Sequence, residues 1–215
     1  MPDLYQLRVV LRNVSPLIWR RLLVRTDTNI AQLHAVLQTA MGWSDTHLHR
    51  FRIHGKAYSI ARCGGIGFAD DPFEVRLSDF RLRRGERFLY EYDFMDGWVV
   101  DIRLEETLAA DTEGISPRCT AGRRAAPPED CGGSWAYLSE LDGHKTPPWE
   151  ALEQVAAAVQ RFLDTGDRAV LDDEDEFGQA INCLEAYTRF QPEHFDRKEI
   201  DAQLRGLAKS AGGAA

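Results

Sequence analysis

The sequence predicts an α+β protein with a mainly antiparallel sheet, one early helix and a helical C-terminal third. Strand-like alternation of apolar and polar residues dominates the first half of the chain, apart from one segment of helical period. After residue 147 the apolar residues recur at helical spacing. A chain of 215 residues with 44% hydrophobic content can bury a sizeable core without help from disulfides.

Three predicted elements fill the first 42 residues. Alternating polarity predicts strands at residues 4–12 and 19–25, each with one apolar face. From Ile30 the apolar residues recur at the spacing of a helix, and Thr28 or Asn29 can cap the start of that helix. Gly42 stands at its end, where a residue in the left-handed conformation commonly stops a helix.

A third strand and a hairpin complete the predicted sheet. Residues 47–53 alternate in polarity, and residues 88–94 and 98–104 form two further strands. Asp96 and Gly97 lie between the last two strands. Glycine accepts a positive φ and aspartate bonds its own backbone, so this pair predicts the turn of a hairpin.

Irregular segments and three helices make up the rest. Residues 61–72 and 109–134 are rich in glycine and proline and lack a period, so both are predicted to be irregular. Segments as long as the second are usually functional or disordered. A helix is predicted between Pro148 and Gly166, and a second follows the acidic residues 172–176. A third helix is capped by Asp196.

The charge divides the chain in two. Residues 150–215 hold 7 basic and 14 acidic side chains, whereas residues 1–149 are close to neutral. We therefore expect an α+β core at residues 1–145, an acidic helical region at 146–209 packed on it within the same domain, and a frayed tail at 210–215. The net charge of −8 argues against a uniformly basic nucleic-acid-binding protein.

Composition indicates a cytoplasmic protein that does not enter a membrane. The sequence contains no apolar run of the roughly 18 residues that a membrane span needs. Its N-terminus lacks the basic start and apolar stretch of a secretory signal. The four cysteines are too scattered for a disulfide framework, so reduced thiols in the cytosol are expected.

Three groups of motifs, in order along the chain, point to a known family. The first is YQL at residues 5–7, PLIWRR at 16–21 and MGWSDTHLHRF at 41–51. The second is YEYDFMDGW at residues 90–98, and the third is PRC at 117–119 with APPEDCGG at 126–133 and Tyr137. Together they resemble the plasmid pRiA open-reading-frame-three-like family, also called the insertion-element passenger TnpR family.

The resemblance implies occurrence on plasmids and mobile elements and names no reaction. The hairpin departs from the family pattern at Met95, where the family has glycine, and at Val100, where it has histidine. Loss of that histidine weakens any inherited site that used it.

Serine resolvase activity, which the TnpR label suggests, is not expected. Ser15 follows the first strand near Arg20 and Arg21, as an activated nucleophile would. However, a proline follows it directly, which indicates a turn, and the acidic C-terminal third offers no basic DNA-binding tail.

His47 and His49 are the main candidates for metal or acid–base chemistry. Two apart on a predicted strand, they face the same side and can bind one ion, for which zinc is the candidate. Further ligands can come from Asp93, Asp96, Glu129, Asp130, Cys119 and Cys131. Alternatively, both histidines face the core and are satisfied by carboxylates such as that of Asp93. We favour the second interpretation and expect no cofactor, since the chain has no Cys-x-x-Cys knuckle.

Cys131 is a weaker candidate, as a nucleophile. A reactive thiolate needs a positive neighbour or a helix N-terminus. Glu129 and Asp130 precede it and disfavour the thiolate, although Ser134 can open a helix. We therefore favour a docking loop in which the glycines form a tight turn and the carboxylates accept hydrogen bonds from backbone amides.

Basic residues are enriched at the start of the chain. Seven arginines and three aspartates give residues 1–53 a charge of +4. The candidate binding residues are Arg8, Arg12, Arg20, Arg21, Arg50 and Arg52, with Trp43, Trp98, Glu129 and Asp130. Such a face can bind phosphates beside stacking aromatics. We favour pairing with the acidic residues 150–215 instead, so nucleic-acid binding is a secondary expectation.

The sequence therefore predicts a non-catalytic interaction or accessory protein, whose partner is another protein or a component of a mobile element. The alternative is a metal-dependent or acid–base hydrolase built on His47, His49, Asp93 and Asp96. A nucleic-acid-binding accessory protein is the third candidate. Convergence of the four residues and Cys131 on one open pocket would favour an enzyme.

Overall fold

The computed structural model describes residues 3–60, 70–109 and 117–212, and these residues form the predicted α+β fold. Its strands are β1 (Leu4–Leu11), β2 (Trp19–Arg25), β3 (His49–Ile53), β4 (Lys56–Tyr58), β5 (Arg87–Tyr92), β6 (Trp98–Leu108) and β7 (Arg118–Arg123). They form one antiparallel sheet in the order β4-β3-β5-β6-β1-β2-β7.

The helices are α1 (Ile30–Met41), α2 (Gly133–Gly143), α3 (Trp149–Thr165), α4 (Gln179–Arg189) and α5 (Arg197–Gly212). The chain groups into two compact units, Met1–Leu138 with Glu193–Ala215, and Ser139–Pro192. Helix α5 thus belongs to the unit that contains the sheet. None of the helices in the described ranges is long and apolar enough to cross a membrane.

The inner face of the sheet carries the core, as the alternation in β1 predicts. Leu7, Val9 and Leu11 are fully buried, while the residues between them are partly exposed. Helix α1 contributes most of its residues to the same core. Asn29 caps this helix by accepting a hydrogen bond from Gln32 N at 2.8 Å, and Gly42 ends it with φ +74°. Both ends of the helix therefore agree with the sequence.

Three predicted bounds differ in the structure. Strand β3 begins at His49, so His47 precedes the strand instead of lying in it. Strand β7 lies within residues 109–134, the segment predicted to be irregular, and helix α2 begins at the end of that segment. Gly122 lies within β7, although glycine is a residue type that weakens strands. A Cβ there would lie 2.4 Å from the ring of Phe195, so close packing requires the glycine.

Helix α5 packs against the edge strand β7. Asp201 of α5 accepts a hydrogen bond from Cys119 N at 3.0 Å, and Leu204 is fully buried. In the other unit, α3 and α4 bury Ala151, Ala158 and Ala180. The charge-based boundary at residues 145 and 146 does not follow these two packing units, because α5 contributes to the unit that contains the sheet.

Candidate metal centre

The turn between β5 and β6 fixes one carboxylate. Asp93 has φ +51° and is almost fully buried. Its Oδ1 accepts hydrogen bonds from Met95 N at 3.1 Å and Asp96 N at 3.3 Å, and its carbonyl oxygen accepts one from Gly97 N. Because the turn uses only Oδ1, Oδ2 remains available to a ligand.

His47 faces this carboxylate. Its Nε2 lies 3.7 Å from Asp93 Oδ2 and 3.3 Å from Asp130 Oδ1, and neither approach has the geometry of a hydrogen bond. The nitrogen atom is buried and makes no hydrogen bond with the described residues, and the ring packs edge-on against Tyr92. A buried imidazole nitrogen between two carboxylate oxygens, without a hydrogen bond, is an unusual arrangement that needs an explanation.

Asp130 reaches the site because its segment docks onto two others. Trp43 Nε1 donates to Pro127 O at 3.0 Å, and Gly132 N donates to Asp96 Oδ2 at 3.2 Å. A Cβ on Gly133 would lie 2.5 Å from the carbonyl oxygen of Asp96, and its φ is +78°. The glycine therefore allows the segment to approach the hairpin turn closely.

Glu129 anchors the same segment. Its carboxylate accepts hydrogen bonds from Ser44 N at 2.9 Å and from the Tyr92 hydroxyl. Burial and the bond to Glu129 raise the pKa of Tyr92 to about 12. Burial alone would raise the pKa of Glu129, but the bonds from Ser44 and Tyr92 and the nearby His47 lower it. A charged carboxylate beside His47 increases the negative potential of the site.

The three facing atoms have the spacing of metal ligands. His47, Asp93 and Asp130 each offer one ligand atom, and these atoms all lie within 4.8 Å of one another. Bonds of about 2.0–2.2 Å to a tetrahedral zinc ion place ligand atoms roughly 3.3–3.6 Å apart. The separations of His47 Nε2 from the two carboxylate oxygens, 3.3 and 3.7 Å, are close to that range. One imidazole and two carboxylates form a donor set that suits zinc.

His49 does not share this site, so the two histidines are not grouped around one ion, which was the less favoured interpretation of their spacing. Its ring stacks face to face on that of His34 at 3.5 Å, in a second group with Asp45. Both nitrogen atoms of His34 lie at hydrogen-bond distance from partners, Tyr90 and Asp45, at 2.8 Å each. His34 and His49 are therefore better explained as satisfied core histidines than as metal ligands.

The second group belongs to a closed hydrogen-bond ring. Gln38 Nε2 donates to the Tyr90 hydroxyl at 2.7 Å, and Asp45 N donates to Gln38 Oε1 at 3.0 Å. The Tyr90 hydroxyl can then donate to His34 Nδ1, while His34 Nε2 carries its proton toward Asp45. The ring connects α1, strand β5 and the loop that leads to His47.

Replacement of Tyr90 by phenylalanine is expected to destabilise the protein by about 1–3 kcal/mol without changing metal binding. The variant leaves buried polar atoms of Gln38 and His34 without their partner. Urea unfolding followed by circular dichroism measures the effect. Tyr5→Phe is the matched control, since Tyr5 is buried and its hydroxyl bonds to none of the described residues. Equal stability of the two variants would contradict a structural role for the ring.

The other predicted site residues lie outside the group of His47, Asp93 and Asp130. Asp96 and Glu129 hold the segment of Asp130 in place through their hydrogen bonds. Cys131 follows Asp130 but is not in either ligand group found among the described residues. Cys119 lies in β7, where burial raises the pKa of its thiol despite the nearby Arg20.

Both candidate tryptophans are buried. Trp43 stacks on Tyr92 at 4.9 Å, and Trp98 is 1% exposed, so neither offers a face to a ligand. Val100, at the position where the family pattern has histidine, is fully buried opposite Tyr90. Met95, in contrast, is 95% exposed in the hairpin turn.

The candidate arginines take two kinds of position. Arg20 is buried and donates to backbone carbonyls, so it cannot reach a ligand. The others lie on the outer face of the sheet, and their carboxylate partners are Glu91, Asp101 and Glu105. These partners belong to strands β5 and β6, not to residues 150–215 as we expected from charge alone.

The chain is similar to known proteins over most of its length. The profile of the Plasmid pRiA4b ORF-3-like protein family matches residues 3–199. The chain belongs to this family. The uncharacterized protein y4hQ of Sinorhizobium fredii (strain NBRC 101917 / NGR234) is 36% identical over 150 residues, which cover 67% of this chain and 75% of that protein.

A solved structure has a similar fold over nearly the whole chain. The crystal structure of the protein of unknown function MM3350 from Methanosarcina mazei Go1 matches with a TM-score of 0.65 and 32% identity. The match covers 93% of this chain and 97% of that one. The relatives thus support a family of unknown function.

Each of three sequence motifs that carry the family resemblance contributes one member of the candidate metal centre. MGWSDTHLHRF supplies His47, YEYDFMDGW supplies Asp93 and APPEDCGG supplies Asp130. The convergence depends on tertiary contacts between segments that are far apart in the chain.

Proposed function

We propose that this chain binds one zinc ion through His47 Nε2, Asp93 Oδ2 and Asp130 Oδ1, and that it hydrolyses a substrate with a water molecule bound to the ion. The observation that carries the proposal is the buried His47 Nε2, which faces two carboxylate oxygens and makes no hydrogen bond with the described residues. Two ligand carboxylates and one neutral imidazole balance the charge of a divalent ion.

The exposure of the site supports a catalytic role over a purely structural one. Structural zinc sites are usually closed by four protein ligands, whereas catalytic sites combine three with a water molecule. Here three ligand atoms converge, and the side chain of Asp130 is 77% exposed, so solvent can reach that side of the group. A zinc ion held by these residues would supply a bound water with a pKa of about 7 and would polarise the bond under attack.

Zinc titration of chelator-treated protein, followed by a hydrolysis assay, tests the proposal. We expect one zinc ion per chain in calorimetry at neutral pH. The assay uses p-nitrophenyl carboxylic esters, phosphate monoesters and phosphate diesters, with and without the metal. Zinc-dependent hydrolysis of at least one ester class is expected, with a rate that rises as the pH increases through about 7.

The same experiment distinguishes a zinc-dependent hydrolase from a non-catalytic protein. The sequence favours a cytoplasmic accessory protein of plasmids or other mobile elements, whose partner is another protein or a component of a mobile element, and this is the second proposal. Zinc binding without hydrolysis of any ester class would contradict the hydrolase and support that alternative. Absence of zinc binding would contradict the metal site itself.

A further inference from the structure

Four arginines face one another across the outer side of the sheet. Arg87 of β5 is in register with Arg103 of β6, Arg103 with Arg8 of β1, and Arg8 with Arg21 of β2. We call these four residues the arginine row. Directly opposed residues have Cβ atoms about 4.5–5.5 Å apart, so the row extends for roughly 14 Å across four strands.

The arginine row works against the stability of the sheet. Like charges directly opposite one another on neighbouring strands are destabilising. Glu105 lies 2.6 Å from Arg21, 3.6 Å from Arg103 and 3.9 Å from Arg8, and the hydrogen bond from Arg21 holds the pKa of this carboxyl below its usual value. One carboxylate thus serves three arginines, which leaves an excess of positive charge.

The excess positive charge extends along a groove beside the row. Asp101 contacts Arg12 at 2.7 Å and Arg87 at 3.6 Å. The groove has a volume of about 480 Å³, and its charged lining consists of Arg8, Arg12, Arg87, Arg103 and Asp101. Its four arginine side chains are 29–59% exposed. These four guanidinium groups share the carboxylates of Asp101 and Glu105, and the positive charge that remains makes a site for an anion.

Trp19 orients part of the row without being free to stack on a base. The guanidinium of Arg8 lies over its ring at 4.7 Å, and that of Arg21 lies near it at 5.8 Å. Stacked guanidinium groups keep their donors directed sideways, in a geometry that suits the two oxygens of a phosphate. The chemistry is therefore that of phosphate recognition, because Trp19 is covered by guanidinium groups and offers no platform to a base.

We infer that the arginine row and its groove bind the phosphodiester backbone of a nucleic acid. A single phosphate is much shorter than the row, which presents four guanidinium groups over roughly 14 Å, so the successive phosphates of a polymer match its length better. The chain as a whole carries a charge of −8, which repels polyanions from other surfaces. Binding is therefore confined to this face and depends strongly on salt.

Fluorescence anisotropy with a labelled DNA duplex at low salt tests the inference. We expect binding with a log–log salt slope near −3.6, because each of four neutralised phosphates contributes about 0.9. The double variant Arg8→Gln/Arg103→Gln should weaken binding and reduce the slope by about 1.8. The control is Arg161→Gln/Arg189→Gln, which removes two ion-paired arginines on α3 and α4 and should leave binding unchanged.

The unfolding temperature of the double variant shows whether it loses binding only because it loses its fold. Because the row opposes like charges, Arg8→Gln/Arg103→Gln should unfold at the same or higher temperature than the wild type. Inorganic triphosphate serves as a competitor, to distinguish a small phosphate ligand from a polymer. Absence of duplex binding at low salt, binding of triphosphate alone, or equal losses in the control would overturn the inference. His47→Ala should bind the duplex normally, which separates this result from the metal proposal.

Discussion

Replacement of His47 by alanine is expected to lower the affinity for zinc by more than about a hundredfold. Loss of an outer-shell partner of a metal ligand alone costs about 10–100-fold, and His47 is proposed as a direct ligand and the only nitrogen donor of its group. Competition with a chromophoric chelator measures the affinity. The histidine lies outside the strands, so we expect the variant to fold.

Two further variants make the His47 result specific. His54→Ala removes a surface histidine whose Nε2 lies 2.6 Å from Glu86, and its zinc affinity should equal that of the wild type. Asp93→Asn retains an oxygen that can accept the turn bonds from Met95 and Asp96 but removes the ligand charge. It should therefore lose zinc while keeping the hairpin. Equal zinc affinity in the wild type and His47→Ala would refute the ligand assignment.

Replacement of Arg20 by alanine is expected to destabilise the fold by about 3–4 kcal/mol, since three backbone carbonyls lose a buried charged donor. Its guanidinium donates to Ala40 O, Trp19 O and Arg123 O at 2.9–3.0 Å and packs on the ring of Phe195. Burial lowers the pKa of Arg20 to about 10, so it remains charged at neutral pH. The expected fall in Tm is about 6–16 °C.

A second arginine on the same strand is the matched control. Arg25 of β2 pairs with Asp27 at the surface, where ion pairs contribute about 0–1 kcal/mol. Arg25→Ala should therefore shift Tm by only a few degrees. Calorimetric scans of both variants compare the two losses directly. If both arginines caused the same small loss, Arg20 would not join β2, α1 and β7 as the structure indicates.

Local sequence patterns predicted most of the sheet and of the helices. The alternation in β1 and the cap and stop residues of α1 act over a few positions, so the sequence alone specifies them. Strand β7 depends on pairing with β2 and on the ring of Phe195 over Gly122. Those contacts join distant segments, and no local pattern encodes them.

The candidate metal centre was only partly predictable for the same reason. His47, Asp93 and Asp130 were each candidates from residue type, but their grouping depends on docking between three loops. The two-residue spacing of His47 and His49 predicts a shared ion only if both residues lie in one strand that begins at residue 47. Asp45, with φ +59°, stands in the loop before β3, and the strand begins only at His49.

The arginine row depends on strand register, which the amino-acid composition does not reveal. The charge of +4 in the first 53 residues was visible in the sequence. The alignment of Arg8 with Arg103 and of Arg103 with Arg87 depends on how β1, β5 and β6 pair. Their carboxylate partners Asp101 and Glu105 lie on β6 and do not belong to the acidic helices that net charge suggested.

Anomalous diffraction at the zinc absorption edge, from crystals grown with zinc, tests the metal centre most directly. The predicted result is one anomalous peak bounded by His47 Nε2, Asp93 Oδ2 and Asp130 Oδ1, at about 2.0–2.2 Å from each. A map without a peak at that position, or with the ion bound instead by His34, Asp45 and His49, would contradict it.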